Sequence, residues 1–315
     1  MNQSPHIAVL LSSFNGAAYI EEQIHSILNQ RGVSVSLTVR DDGSTDATPA
    51  ILQRLASQHP ALTIALAHNI GVIQSFFALM RGAHDVVEAN ADSAAQYFSL
   101  SDQDDLWYPD KLLRAVMALQ KNDASEILMY CSGVENVDAQ LAHLSNSRVK
   151  SLEKIGYHNA LVENCATGCT IVLNRTALTK LTARLPHHCV MHDWWIYLVV
   201  AALGTVIYDA APSMKYRQHS QNVIGVAPSL ASKYKRRLRR LLADSPTAKT
   251  SIQLREFEQI YGADLNQQRK KLLKRFAAYK TNFLVRVGLV GSAQFCRQSR
   301  LDDLLIRCSI LIGKF

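Results

Sequence analysis

Residues 101–105 read Ser-Asp-Gln-Asp-Asp and place Asp102, Asp104 and Asp105 within four positions. Three carboxylates this close repel one another unless a cation joins them. Hard oxygen donors suit Mg²⁺ or Mn²⁺, which fill their remaining positions with water or phosphate oxygens. The same residues also describe a solvated acidic loop, with Asp104 and Asp105 drawn to the positive end of the next helix. The neighbouring elements bear on that choice. Tyr97-Phe-Ser-Leu100 reads as a buried strand, and Pro109 opens a helical pattern with Leu112, Leu113, Val116 and Leu119 on one face. The carboxylates therefore fall at the carboxyl end of a strand, where open α/β sheets bind ligands.

Three earlier segments repeat that arrangement. His6 to Ser12 is an apolar strand ending in Ser13-Phe-Asn15-Gly16, followed by a helical period at Ile20, Ile24, Ile27 and Leu28. Val35 to Val39 is a strand ending in Arg40-Asp41-Asp42-Gly43-Ser44-Thr45-Asp46, where Thr45 or Asp46 would cap the next helix. Leu62 to Ala67 ends at His68-Asn69-Ile70-Gly71, and another helix begins near Val72. Strand–loop–helix alternation predicts an α/β fold whose mainly parallel sheet is flanked by helices. Its strand ends bring Ser13, Asn15, Asp41, Asp42, Asn69, Gly71 and the acidic loop to one edge. Asp41 and Asp42 also fit as plain turn residues before Gly43. Neither G-x-G-x-x-G after the first strand nor G-x-x-x-x-G-K-[ST] occurs, so a bound nucleotide would need a metal for its phosphates.

The 315 residues allow one large α/β domain with an appendage, and 48% hydrophobic content supports a sizeable core. The net charge of +8 hides a division: residues 1–227 carry 15 Lys and Arg against 20 Asp and Glu, and residues 228–315 carry 19 against 6. A catalytic domain over 1–227 and a basic, mainly helical region over 228–315 are expected. From Ser229 to Leu242, Leu230, Tyr234, Leu238, Leu241 and Leu242 share one helical face amid six Lys and Arg. Such a helix suits an anionic membrane surface or a docked position on the catalytic domain. No motif for reading nucleic acid accompanies the charge, so no nucleic-acid partner is expected. No apolar run reaches the roughly 18 residues that span a bilayer, and no secretory signal is read. A cytoplasmic protein with six reduced cysteines is expected, peripheral on the inner membrane face if the basic region binds there. Cys165-x-x-x-Cys169 with His187, His188 and Cys189 lacks the spacing of a zinc ribbon or finger.

With these segments together, the chain resembles a family 2 glycosyltransferase of the GT-A fold, close to the bacterial rhamnosyltransferase-like subgroup. The resemblance rests on Val9-Leu-Leu-Ser-Ser-Phe-Asn15, Arg40-Asp-Asp-Gly-Ser-Thr-Asp46, Asn69-Ile-Gly71 and Leu100-Ser-Asp-Gln-Asp-Asp-Leu-Trp107. It continues through Thr167-Gly168-Cys169, His192-Asp193-Trp194-Trp195 and Tyr216-Arg-Gln-His219-Ser-Gln-Asn222, covering roughly residues 6 to 225.

The resemblance implies an inverting transfer from a dTDP- or UDP-linked sugar to a saccharide or lipid-linked acceptor in surface polysaccharide synthesis. It implies that Asp193 is the base, that Asp104, Asp105 and His219 face the Mg²⁺ or Mn²⁺, and that Asp102 stands on the donor side. One of Asp41 and Asp42 would read the nucleobase. Gly168 would belong to an acceptor-side turn, with Trp194 or Trp195 lining the acceptor groove unless the rings are core. Position alone also lets Asp193 serve as a helix cap. Two other functions compete. A sugar-nucleotide nucleotidyltransferase would want a basic Gly-rich loop after the first strand, but Ser12-Ser-Phe-Asn-Gly16 has no Lys or Arg. A silent sugar-nucleotide-binding protein would not need the intact Asp102, Asp104, Asp193 and His219.

Overall fold

The computed structural model describes residues 4–90, 95–219 and 246–315. Strands β1 (His6–Ser13), β2 (Ser34–Asp41), β3 (Leu62–Leu66) and β4 (Tyr97–Ser101) alternate with helices α1 (Ile20–Leu28), α2 (Thr48–Gln58) and α3 (Val72–Ala89). The apolar spacing explains the layers. Ile20, Ile24 and Ile27 lie on one face of α1 and are fully buried with Ile7, Val9 and Leu11 of β1 and Leu37 and Val39 of β2. Helix α2 starts where Asp46 accepts hydrogen bonds from the Thr48 N–H at 2.9 Å and the Thr48 hydroxyl at 2.5 Å.

The chain continues through β5 (Leu106–Trp107), α4 (Lys111–Leu119), β6 (Leu128–Val137), β7 (His143–Ser147), α5 (Tyr157–Ala160), β8 (Val172–Asn174), α6 (Arg175–Ala183), α7 (His192–Leu203) and β9 (Thr205–Arg217). Among the described residues these strands form a nine-stranded sheet of order β3-β2-β1-β4-β8-β6-β9-β5, with β7 on β6. The sheet is parallel across β3, β2, β1 and β4. Beyond β4 it is mixed: β8 runs antiparallel to β4 and β6, whereas β6 and β9 are parallel. Register fixes where the loops emerge. Ser13 pairs with Asp41, Asp41 with Leu66 and Leu11 with Ser101, so four strand ends open on one edge. Strand β5 is a finding that the sequence pattern did not contain. Leu106 and Trp107 pair with Lys215 and Met214, tying the acidic loop to the end of β9 before α4 begins.

The chain divides into two compact units. The first holds the sheet and comprises residues 1–148, 166–185 and 205–219; the second comprises 149–165, 186–204 and the described residues from 246 onward. The boundary expected at 227/228 and the basic helix expected over 229–242 lie outside the described residues. The second unit is helical, with α5 and α7 joined by α8 (Pro246–Tyr261), α9 (Gln267–Ala278), α10 (Phe283–Val290) and α11 (Arg300–Leu311). Helix α7 is apolar nearly all round, and ten of its twelve residues are buried accordingly. Phe276 packs against Phe295 and Phe315, with ring centroids 5.2 and 5.6 Å away.

Candidate active site

The acidic loop leaves β4 at Ser101, whose hydroxyl lies 2.8 Å from the carboxamide of the buried Gln23 on α1. Gln103 turns back over the β1 loop. Its Oε1 accepts from the Phe14 N–H at 2.7 Å, and its Nε2 donates to the Phe14 carbonyl at 3.0 Å. Gly16 makes this clasp possible, because a Cβ there would sit 2.4 Å from Gln103 Oε1.

Asp104 and Asp105 diverge. Asp104 Oδ2 lies 2.8 Å from His219 Nε2, and the His219 ring tilts against Tyr19 with centroids 5.1 Å apart. Asp105 is fully buried. Its Oδ1 accepts from the Arg217 backbone N–H at 3.3 Å, and its Oδ2 has no hydrogen-bond partner among the described residues. Burial, reinforced by the charges of Asp104 and Asp102, pushes the Asp105 carboxyl well above the ordinary range. Ligand atoms of Asp102, Asp105 and Cys169 lie within 4.8 Å of one another. The Cys169 thiol is itself pushed up, first by burial and then by the Asp105 and Asp102 charges, so it stays protonated beside them. Asp104 thus pairs with His219 from beyond β9, while Asp105 groups with Asp102 and Cys169. An unsatisfied buried carboxylate oxygen amid mutually repelling carboxylates fits a divalent cation, and the carboxylate and imidazole donors fit Mg²⁺ or Mn²⁺.

The donor-side residues are built into the same edge. Asp41 accepts from the Ser13 hydroxyl at 3.0 Å and from the Ser44 N–H at 2.9 Å. Asp42 pairs with the Arg40 guanidinium and accepts from the Ile70 and Gly71 N–H groups at 2.9 and 2.8 Å. Both carboxylates are 2% exposed and committed to shaping these loops. Asn15 holds a left-handed backbone, φ 51°, that asparagine tolerates better than most residues, and its Oδ1 accepts from the Thr45 N–H at 2.9 Å. Asn69 and Gly71 are exposed at the start of α3. Gly71 has φ 82°, and a Cβ there would meet nothing within 4 Å, so the need for glycine is conformational. Gly168 opens a short buried turn, Gly168–Thr170, that carries Cys169 to the acidic loop.

In the second unit, Asp193 lies in the first turn of α7, nine-tenths buried, and its Oδ1 accepts from the Trp194 N–H at 2.6 Å. Burial lowers the pKa of the adjacent His192 to about 3, leaving it neutral. The two tryptophans part company. Trp195 is fully buried against Phe257 and Tyr261, with centroids 6.0 and 6.2 Å away, which is a core position. Trp194 is part exposed and donates its Nε1–H to the Ala160 carbonyl at 2.7 Å.

Two residues organise the acidic loop without having been singled out from the sequence. Arg217 donates to the Asp104 carbonyl at 2.9 Å, the Ala139 carbonyl at 2.7 Å and Glu22 at 2.5 Å, and stacks over Tyr19 at 4.6 Å. Lys111 is fully buried, with Nζ 3.6 Å from the Trp107 ring centre and no hydrogen-bond acceptor among the described residues. No periodic signal marks Lys111, because Trp107 lies in β5 and Lys111 opens α4. Nothing local marks Arg217, whose partners lie up to 195 positions away.

Known proteins give this arrangement its class. Residues 8–181 match the family model described as glycosyl transferase family 2, and the chain belongs to that family and is a glycosyltransferase. It is 30% identical over 240 residues to the dTDP-rhamnosyl transferase RfbG of Shigella flexneri, covering 72% of this chain and 77% of that protein. It is 25% identical over 236 residues to an uncharacterized glycosyltransferase of Rickettsia typhi, covering 73% and 70%. Among solved structures, S. aureus TarS 1-349 in complex with UDP-GlcNAc aligns with a TM-score of 0.57 at 14% identity, over 98% of this chain and 88% of that one. The mannosyltransferase PcManGT from Pyrobaculum calidifontis, in complex with GDP-Man and Mn²⁺, aligns at 0.52 and 17% identity, over 99% and 87%. These structural likenesses establish the fold, a GT-A arrangement with a helical C-terminal region.

Proposed function

We propose that the protein is an inverting, metal-dependent glycosyltransferase that moves a deoxyhexose, rhamnose first, from its dTDP-linked donor to a saccharide or lipid-linked acceptor of a surface polysaccharide. The observation that carries metal dependence is the acidic loop, where Asp104 meets His219 and Asp105 keeps an unsatisfied buried oxygen. Asp104, Asp105 and His219 would hold the cation, with Asp102 toward the donor. The cation supplies charge neutralisation to the departing diphosphate. Ser13, Asn15, Asp41, Asp42, Asn69 and Gly71 form the donor edge. Asp193 accepts the proton of the acceptor hydroxyl as its oxygen bonds to the anomeric carbon and the bond to the diphosphate breaks. One displacement from the opposite face inverts that carbon. Gly168 and Trp194 support the acceptor side. The rhamnosyl choice rests on the RfbG relative. Basic residues over 229–242 support a peripheral station on an anionic leaflet.

The test is a donor panel of dTDP-rhamnose, UDP-GlcNAc and GDP-mannose with a saccharide acceptor, read by nucleotide release and product mass. The expected result is release of dTDP with a deoxyhexose added to the acceptor. Release of pyrophosphate would make the protein a nucleotidyltransferase. Binding without turnover on any donor would make it a silent binding protein.

A further inference from the structure

We propose that helices α10 and α11 form a membrane-docking surface whose occupant is an anionic lipid leaflet. Of the fifteen large hydrophobic residues exposed among the described residues, seven lie between Phe283 and Ile312. Helix α11 buries Ile306, Ser309 and Ile310 on one side. Its opposite face carries Leu301, Leu304, Cys308 and Leu311, followed by Ile312, at the three- and four-residue spacing of a single stripe. A helix on a water-facing surface places charges there instead. On α10, Phe283, Leu284 and Val287 are exposed in the same way, Leu284 at 79% and Phe283 at 62%.

The two helices adjoin. The Arg307 guanidinium on α11 donates to the Val290 and Ser292 carbonyls at 2.5 and 2.8 Å, and the Arg286 guanidinium fills the space beside Gly313, where a Cβ would lie 2.8 Å from Nη1. Helices α10 and α11 therefore run antiparallel, with Leu311 and Ile312 at the Phe283–Val287 end. Patches of this kind mark interaction sites rather than ordinary surface.

Charge selects the occupant. Residues 267–315 hold eleven Lys and Arg against two Asp, and Lys271, Lys274, Lys280 and Arg300 are exposed. A second copy of this chain would bring the same positive surface against itself, whereas an anionic leaflet complements it. Exposed apolar side chains in a strongly basic segment are the combination that favours interfacial binding to an anionic leaflet. The inference does not rest on the transfer reaction, nor on residues 229–242.

The test uses the full chain in co-sedimentation with vesicles of phosphatidylcholine alone and of phosphatidylcholine with 30% phosphatidylglycerol, at 0.15 M salt. The expected result is binding to the mixed vesicles and little to the neutral ones. Leu284→Glu with Leu304→Glu should reduce it at least tenfold while leaving the melting temperature unchanged, since both side chains are exposed in the folded protein. Lys271→Gln, Lys274→Gln and Lys280→Gln together should remove part of the salt-sensitive component. Undiminished binding by the leucine double variant would overturn the proposal and leave other basic residues as the contact. Absence of vesicle binding would also overturn it, and a dimer in light scattering that the double variant dissolves would make the face a self-interface. Donor turnover with a soluble acceptor, measured on the same preparations, keeps the fate of this proposal separate from that of the transferase reading.

Discussion

Lys111 is a base held where water cannot reach it. Burial outweighs the nearby Cys169 and Asp105 and lowers its pKa from 10.5 to about 7. The unfolded chain keeps that proton up to about pH 10.5, so between these values the unfolded state binds more protons and stability rises with pH. Urea midpoints of the wild type should climb from pH 7 to pH 9. Lys111→Met should flatten that climb while keeping the stem's packing under Trp107, and an equal slope in both proteins would remove the lysine from the account. Asp193 invites a different measurement. Asp193→Asn preserves shape but accepts no proton, so turnover should fall by about 10²-fold or more with little change in donor affinity. Near-normal turnover would place the base elsewhere. Glu163 is a poor substitute, since it already accepts from the Gln298 N–H at 2.6 Å and pairs with Arg297 at 3.5 Å.

Loops do the positioning at the scale of elements. The acidic loop is pinned at three points: by Gln103 to the β1 loop, by β5 to β9, and by Arg217 to the Asp104 carbonyl. Gly16→Ala would drive a methyl group into the Gln103 carboxamide, an overpacking that costs about 1–3 kcal/mol unless the side chain swings away. Gln103→Ala forfeits two hydrogen bonds to Phe14, about 1 kcal/mol each. The double variant should cost less than the two single changes combined, because removing Gln103 removes what the methyl strikes. Denaturant unfolding of the four proteins measures this coupling, and strict additivity would show that Gly16 serves some other purpose.

For the whole molecule, the proposed cation binding would be linked to stability. An ion that binds only the folded protein stabilises it by about 2.7 kcal/mol at a hundredfold excess over its dissociation constant. Mn²⁺ or Mg²⁺ should therefore raise the melting temperature by several degrees, and Asp104→Ala or His219→Ala should diminish the rise. Chelator should abolish transfer, and either metal should restore it. Full turnover in chelator, with no thermal shift from either metal, would end the metal-dependent reading. The charge division acts at this scale too. Residues 1–227 carry a balance of −5 with the acidic loop, and residues 228–315 a balance of +13, so any attraction to an anionic partner is expected from the C-terminal part.

The first half of the fold was legible because each signal was local. Ile20, Ile24 and Ile27 announce a helix by spacing, Gly71 announces a turn, and parallel strands of equal reach must open their ends on one edge. The acidic loop was legible for the same reason, since three aspartates in four positions require an explanation wherever they fold. Tertiary structure alone decided which partner each aspartate received. His219 reaches Asp104 across 115 residues, and Cys169 reaches Asp105 through a turn whose sequence carries no mark of that neighbour. It also decided that Trp195 is core while Trp194 is not, and that α11 turns Leu304 outward. Adjacent residues on a helix point in different directions, and which direction is inside is fixed only by what packs against it. Sequence spacing sets the angle between side chains; the rest of the molecule sets which of them meets water.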